Sequence, residues 1–375
     1  MQYREFGKTG VKISALGFGA MRLKMYKRDE KMLVDEEDAV SLMHKAFGLG
    51  VNYVDTAYVY SGGESEKAVG KALKGWRDKV YVATKMPSWQ AKEPGDYTRF
   101  LEEQLKKLDV GHIDFYHFHG LSKDYWEGTA LKKGFDKEAL DAKSQGLIRH
   151  ISFSCHDSPE ALKYLADTGM FSSVLLQYNL LDRKNEEAIE YVSGKGLGVV
   201  VMGPVAGGRL SAPSETIGRF LSKSPGSTPE TAIRFVLGNR HVSCALSGMT
   251  SAEMVEQNAK VASIETPLTA EEWRSVDAML AECKKLADLY CTGCGYCVPC
   301  PVKINIPEVF RAMNMHKVYG LTKPAKDAYM RFGQKEDSDA SPTACTECGE
   351  CEGKCPQKIK VAERLKEVAL ELGPR

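Results

Sequence analysis

Leu16-Gly17-Phe18-Gly19-Ala20-Met21-Arg22 ends the first strongly apolar run of this 375-residue chain, and its reading separates two folds. A doubly wound sheet built for dinucleotides wants Gly-x-Gly-x-x-Gly in its first strand-to-helix turn. Here Gly17-Phe18-Gly19 is followed by Ala20-Met21-Arg22, so the third glycine is missing and the fingerprint fails. Working outward, apolar strand-like runs recur at Ile13–Gly19, Val51–Val54, Val80–Thr84, Asp114–His119, His150–Phe153, Ser173–Leu176, Gly198–Met202 and Ser243–Leu246. Amphipathic segments fall between them, near 35–49, 64–74, 97–108, 135–145, 159–167, 185–194, 229–239 and 251–262. In the first of these, Asp35 is a suitable N-cap and Val40, Met43 and Phe47 share one face. Eight strand–helix units over about 250 residues predict an α/β fold of the (β/α)8 TIM-barrel type.

The barrel is expected to fill residues 1–283, and a second, mostly helical domain residues 284–375. A capping box of Thr269 and Glu272 opens one more helix, which leads into Cys291. Two further helices are predicted at Pro307–Lys317 and Lys323–Gly333. The chain closes on an amphipathic helix bearing Val361, Leu365, Val368 and Leu372.

Composition narrows the function classes. With 43% hydrophobic and 27% charged residues the chain can bury a core and is not disordered. Fifty-one basic against 50 acidic residues give +1, which supports neither nucleic-acid nor membrane-surface binding. The polar start, Met1-Gln-Tyr-Arg-Glu-Phe6, lacks the apolar core of a signal peptide, and Gly196–Gly208 is too short and too glycine-rich to span a bilayer. The expected location is cytoplasmic.

Eight of the 11 cysteines crowd into two windows; Cys155, Cys244 and Cys283 are scattered. Clustering in a chain of this size argues for metal ligation rather than a disulfide framework. The second window, Cys345-x2-Cys348-x2-Cys351-x3-Cys355-Pro356, has the bacterial ferredoxin spacing for [4Fe–4S]. The first, Cys291-x2-Cys294-x2-Cys297-x2-Cys300-Pro301, is one residue shorter before its last cysteine. In two-cluster ferredoxins the fourth cysteine serves the other cluster. Cys291, Cys294, Cys297 and Cys355 are therefore assigned to one cluster, and Cys345, Cys348, Cys351 and Cys300 to the other. Structural zinc also uses paired Cys-x2-Cys, but needs only four ligands per site, and two runs of four with trailing prolines favour a ferredoxin-like iron–sulfur domain. Residues 284–375 carry 15 basic and 12 acidic side chains, a formal +3 before any cofactor, which suits an acidic one-electron carrier.

Reacting groups of such a barrel gather at the C-terminal ends of its strands. Those ends supply Asp55, then Tyr60 in the following loop, Lys85 and His119. Tyrosine ionises near pH 10 and is a weak acid; a neighbouring ammonium lowers that value, a carboxylate holds the ammonium, and a histidine steers the substrate oxygen. Taken singly, Asp55 reads equally well as a helix cap, Lys85 as a surface charge and His119 as a core histidine. His117, two residues before His119, points into the same barrel interior and is expected to be a hydrogen-bonded core residue rather than a proton relay.

Leu16-Gly-Phe-Gly19, Val54-Asp-Thr-Ala-Tyr-Val-Tyr60, Ala83-Thr-Lys85, Ile113-Asp-Phe-Tyr-His-Phe-His119, Gln177-Tyr-Asn179 and Gly203-Pro-Val-Ala-Gly-Gly208 together resemble the aldo-keto reductases over most of residues 3–283. With the cysteine windows added, the chain resembles the iron–sulfur branch of that family. The resemblance implies a catalytic tetrad of Asp55, Tyr60, Lys85 and His119, with Tyr58 left to packing. It implies nicotinamide contacts from Ser154 and Gln177, with Met202 where an aromatic often stacks and Cys155 where asparagine is usual. Gly203 and Pro204 begin the pyrophosphate loop, and Asn258 matches an adenine contact. The basic residues that usually hold a 2′-phosphate are replaced by Gly248 and Met254, which leaves NADPH, NADH or even a flavin open.

The expected activity is carbonyl reduction or alcohol oxidation on a small molecule, with NADPH or NADH as hydride carrier and two [4Fe–4S] clusters for electron transfer to a partner such as ferredoxin or flavodoxin. A hydride moves two electrons together and each cluster one. Coupling therefore needs a flavin, a separate electron path, or a structural role for the clusters. The rivals are a nucleotide-binding redox sensor with little turnover and a reductase with structural metal centres.

Overall fold

The computed structural model describes residues 1–29, 31–206, 210, 227–265, 268–288, 297–334, 339–355 and 359–374, with backbone alone for 279, 280 and 282–288. Eight parallel strands form a closed barrel: β1 (Leu16–Gly19), β2 (Tyr53–Asp55), β3 (Tyr81–Met86), β4 (Ile113–Phe118), β5 (Ile148–Cys155), β6 (Ser173–Gln177), β7 (Gly198–Met202) and β8 (Cys244–Ser247). β8 pairs with β1 through Ala245↔Leu16 and Ser247↔Phe18, which closes the ring. The eight units read from the sequence are all present.

Helices alternate with the strands: α1 (Glu36–Gly48), α2 (Ser65–Leu73), α3 (Asp96–Leu108), α4 (Phe135–Ser144), α5 (Pro159–Asp167), α6 (Glu186–Gly194), α7 (Thr228–Gly238) and α8 (Ala252–Val261). Local chemistry sets their starts. Asp35 Oδ1 accepts from the Asp38 N–H at 3.3 Å, and Ser158 and Ser251 cap α5 and α8 in the same way. On α1, Met43 and Phe47 are buried while Val40 is only partly so. On α3, Tyr97, Phe100, Leu101, Gln104 and Leu108 form the buried stripe, with one polar residue among them.

Two hairpins lie outside the eight-unit pattern. Tyr3–Glu5 pairs antiparallel with Lys12–Ser14, so the apolar run at Ile13–Gly19 divides between this hairpin and β1. It delivers Phe6 into the foot of the barrel, where the ring meets Phe115 edge-on at 4.8 Å and Tyr53 at 5.9 Å. Gly198 makes that fit possible, since a Cβ there would stand 2.2 Å from the Phe6 ring. The second hairpin, Met25–Arg28 with Lys31–Val34, rises from the loop after β1 at the opposite end, and its second strand packs against the turn Tyr60–Gly63.

By compactness the chain divides into one unit of Met1–Gly207 with Ala232–Pro267 and another of Gly208–Thr231 with Leu268–Arg375. In the second, α9 (Ala270–Asp288) starts at the predicted capping box: Glu272 N–H donates to Thr269 Oγ1 at 3.2 Å, and Thr269 N–H to Glu272 Oε2 at 2.7 Å. Helices α10 (Ile306–Lys317), α11 (Thr322–Tyr329) and α12 (Val361–Leu372) pack on one another. Their core holds Val309, Phe310, Met313, Ala325, Tyr329 and the predicted stripe Val361, Leu365, Val368 and Leu372. No helix among the described residues is long and apolar enough to cross a membrane.

Candidate active site and cysteine windows

Alternation along the strands decides which side chains enter the barrel. Tyr53, Ala83, Phe115, Leu175, Val200 and Cys244 form an apolar interior layer above Phe6. Two residues further along β2 and β3 the same face presents Asp55 and Lys85, both buried. Lys85 Nζ donates to Asp55 Oδ1 and, at 2.6 Å, to the Thr56 carbonyl. It also stands 4.8 Å from the centre of the Tyr60 ring. Tyr60 begins the short turn after β2, and its ring meets the His119 ring edge-on at 5.9 Å. His119 follows the end of β4, with its N–H on the Met86 carbonyl at 3.1 Å. The structure thus brings Asp55, Tyr60, Lys85 and His119 together at the C-terminal mouth. Tyr58 lies apart from this group, donating to Glu103 at 2.8 Å and packing on Phe100.

Burial is the largest influence on each ionisation. It works against the Lys85 charge, yet Asp55 and Tyr60 together outweigh it and leave the lysine pKa raised. Burial likewise raises Asp55 against the pull of Lys85. At Tyr60 burial also wins: the pKa is raised, with Lys85 pulling it back down and Asp55 pushing it up. The expected lowering by the ammonium is present as a force but not as the net direction. Burial, then Lys85, then His156 bring His119 down to about 3, so its imidazole is neutral at pH 7.

His117 departs from expectation. It is wholly buried, with its pKa brought down to about 3 by burial and then Lys85. Neither ring nitrogen reaches a hydrogen-bond partner, and its approach to the Phe153 backbone falls short of a bond.

The expected coenzyme contacts stand around the same mouth. Ser154 Oγ accepts from the Gly120 N–H at 2.8 Å, which leaves its own proton to donate. Gln177 donates to Asp182 at 3.0 Å, and Met202 packs on the barrel core. Asn179 donates to the Gly203 carbonyl at 3.0 Å, fixing the start of the loop that includes Pro204. Asn258 donates to Ser247 Oγ at 3.1 Å. A Cβ on Gly248 would meet the stem of Arg22 at 3.5–3.7 Å, so an arginine from the first loop lies where a side chain at 248 would begin. Cys155 is a buried thiol, pushed by burial up to about 11. Gly208 lies outside the described residues.

Three features went unread in the sequence. Trp89, four residues past Lys85, is 51% exposed with its ring 5.0 Å from His119, an apolar wall on the site. The mouth hairpin is the second. Third is a buried network behind β3: Thr84 donates to Glu66 Oε1 at 2.6 Å, Gln104 to Thr84 Oγ1 at 3.0 Å, and Tyr116 to Gln104 at 2.7 Å. Gln104 within the apolar stripe of α3 was its signal. Depressions of about 660 and 310 Å3 lie at the foot of the barrel, lined by residues such as Arg4, Lys8, Gly196 and Arg240. They lie at the strand-start end, which serves stability, and not at the mouth.

Of the eight window cysteines, Cys291 and Cys294 lie outside the described residues. Cys297, Cys300, Cys345, Cys348, Cys351 and Cys355 are all at least partly accessible. Positive φ at Glu347 (57°) and Gly349 (75°) turns the chain between Cys345 and Cys351. Burial pushes the Cys351 thiol up to about 11, with Cys345 and Cys348 adding to it, so the three thiols share one electrostatic neighbourhood. Among the described residues no three His, Cys, Asp or Glu side chains gather tightly enough for a single ion. A set of soft thiolates on a turning backbone fits an iron–sulfur group, whose irons each take one thiolate.

Two family models match, one after the other along the chain. A model of the aldo/keto reductase family matches residues 15–281, and one of the 4Fe-4S dicluster domain matches residues 290–359. L-galactose dehydrogenase of Arabidopsis thaliana is 29% identical over 317 residues, 76% of this chain and 96% of that protein. The holo form of aldo-keto reductase AKR11C1 from Bacillus halodurans is similar at a TM-score of 0.64 and 29% identity, over 74% of this chain and 96% of that one. An aldo/keto reductase from Klebsiella pneumoniae, solved with NADP and acetate, shares the fold at a TM-score of 0.61 and 23% identity, over 73% of this chain and 93% of that one. With the closed barrel, the converged mouth and a family match across residues 15–281, the chain is an oxidoreductase that belongs to the aldo/keto reductase family and carries a 4Fe-4S domain.

Proposed function

We propose that the barrel reduces a small carbonyl compound, or oxidises the corresponding alcohol, with NADPH or NADH, and that residues 284–375 hold two [4Fe–4S] clusters. The observation that carries this reading is the Asp55–Lys85 pair, buried together beneath the Tyr60 ring and beside a neutral His119. The nicotinamide supplies a hydride when bound, and the clusters supply single electrons. The residues proposed to hold the coenzyme are Ser154, Gln177, Met202, Gly203, Pro204, Gly248 and Asn258. A flavin is the alternative hydride carrier.

The chain's own residues do the proton work. Tyr60 gives its hydroxyl proton to the substrate oxygen as hydride arrives at the carbon, and Lys85 steadies the phenolate that results. Asp55 holds the ammonium at the correct point. His119, neutral, donates from one nitrogen to the same substrate oxygen and orients it. Trp89 walls the carbon side of the substrate. In alcohol oxidation each proton step runs in reverse.

In the second unit, the proposed ligand sets are Cys291, Cys294, Cys297 with Cys355, and Cys345, Cys348, Cys351 with Cys300. The partner proposed for them is a one-electron carrier such as ferredoxin or flavodoxin.

The test is turnover of a panel of aldehydes and alcohols with NADPH and with NADH. Because one relative is an L-galactose dehydrogenase by name, the panel includes sugars. Nicotinamide-dependent turnover that Tyr60→Phe removes supports the proposal. Tight coenzyme binding with no turnover of any member favours a redox sensor instead.

A further inference from the structure

The register of the barrel lines up one continuous polar belt. Lys85 pairs with His117 across β3 and β4, His117 with Ser152 across β4 and β5, and Ser152 with Ser173 across β5 and β6. Paired residues of parallel strands face the same side, so all four face the barrel interior, along a line that descends from Lys85 at the mouth towards Ser173 nearer the foot. All four are completely buried, in a position where such barrels stack branched aliphatic side chains. Three members are partnered. Lys85 is bound to Asp55 and the Thr56 carbonyl, and the two serine hydroxyls share a hydrogen bond of 2.7 Å. His117, between them, has no partner for either nitrogen.

An unpartnered buried imidazole lowers stability, and an aliphatic residue of similar size would pack there without that penalty. The belt is not a proton wire, because it has no outlet. Its next register partner after Ser173 is Gly198, whose open side is filled by the Phe6 ring. Its register neighbour across the β3–β4 pairing is the lysine at the centre of the site, whose charge bears on the ring. The donors of Lys85 are directed away from β4, towards Asp55, Thr56 and Tyr60. A neutral ring on the β4 side backs the ammonium with a dipole rather than a hydrogen bond and adds no second positive charge; an isobutyl group offers no such dipole.

We infer that His117 is a positioning residue for Lys85, holding the ammonium over Tyr60 from the side opposite Asp55, and that it occupies the barrel core at the expense of stability. The inference rests on the role proposed above for Lys85. Residues that lower stability while serving chemistry reveal themselves by opposite effects on the two properties.

The experiment measures thermal midpoint, kcat, KM and coenzyme Kd for the wild type, His117→Leu and His117→Gln, with Tyr60→Phe alongside. His117→Leu is expected to raise the midpoint while lowering kcat by about 10–100-fold, the scale of a small misplacement at a reacting centre, with KM and Kd unchanged. His117→Gln, which restores a polar head, is expected to recover most of the lost kcat. A Leu variant with wild-type kcat, a lower midpoint in the Leu variant, or a Gln variant as impaired as Leu each overturns the inference. If His117→Leu is fully active while Tyr60→Phe is not, only this inference fails. If Tyr60→Phe is also fully active, the catalytic reading beneath it fails.

Discussion

Lys85 is proposed to serve proton transfer in the barrel and Cys348 electron transfer through a cluster, and the fold treats them in opposite ways. Lys85 is wholly buried, its place set by the strand pairing of β3 with β2 and β4, and its charge already partnered. Cys348 is exposed on a stretch whose regular structure is a three-residue turn, Pro342–Ala344, and a five-residue helix, Glu350–Lys354. A helix that short does not support itself in water. The barrel site is therefore built by backbone pairing before any ligand arrives. For the cysteine segment the expectation is the reverse order of events, since metal ligation and folding are coupled wherever no preformed site exists. A reaction needing hydrogen bonds placed to fractions of an ångström uses the first strategy. A centre whose bonds are strong enough to organise their own surroundings can use the second.

The largest effect that would sharpen this contrast is loss of a cluster ligand. Cys355→Ala should remove the cluster proposed for Cys291, Cys294 and Cys297, lower the iron content by about half, and loosen the segment from Cys291 to Cys355, while the barrel keeps its fold and carbonyl turnover. Iron and sulfide analysis with paramagnetic resonance of the reduced Cys355→Ala and Cys300→Ala proteins checks it. If Cys355→Ala disturbs instead the centre bound by Cys345, Cys348 and Cys351, each window holds its own cluster.

The converse variant is Tyr60→Phe. Turnover should fall by roughly 10²–10⁴-fold, with coenzyme affinity and iron content unchanged, because the hydroxyl is removed from a frame that needs no ligand to form. Steady-state kinetics and a coenzyme titration decide it; full reductase activity in the Phe variant refutes the assignment.

Acid should weaken the barrel in a defined direction. His117 and His119 are both held down to about 3, burial being the first cause and Lys85 the second. The unfolded chain takes up these protons near pH 6.5, so between about 6.5 and 3 it binds more protons than the native state. Stability falls as pH drops through that window, by at most about 1.4 kcal/mol per pH unit for each histidine. Barrel unfolding followed between pH 6 and 5 should therefore be less pH-sensitive in a His117→Gln, His119→Gln protein than in the wild type. Equal sensitivity would mean that neither histidine titrates on unfolding.

The smallest expected effect concerns the coenzyme. With Gly248 and Met254 in place of basic side chains, Kd values for NADPH and NADH should agree within about tenfold, under about 1.4 kcal/mol. A hundredfold preference for NADPH, about 2.7 kcal/mol, would require another cation at the phosphate. Arg22, whose stem already lies beside Gly248, would be the first candidate.

The strands and the mouth residues were legible because local pattern fixes them. A two-residue period puts Asp55, Lys85 and His119 on the inner face, and chain order puts them at strand ends. The capping box at Thr269 and the stripe from Val361 to Leu372 are equally local. What the pattern did not reveal depends on distant pairing. Nothing near His117 says whether its nitrogens will find partners, since its neighbours Lys85 and Ser152 come from other strands. The buried Glu66 meets Thr84 and Gln104 across three elements. The two hairpins escaped because four residues such as Met25–Arg28 are too few to show a period. Cysteine spacing, for its part, names ligands without saying which window completes which cluster.

The Phe6 ring seated against Gly198 has a kinetic consequence. With the foot of the barrel sealed, whatever reaches Lys85 enters and leaves by the mouth. Two ligands sharing that passage cannot exchange independently: the one seated deeper must load first and depart last. Rates should then follow a compulsory order, with the released coenzyme competing against fresh coenzyme and the other product showing mixed inhibition against it.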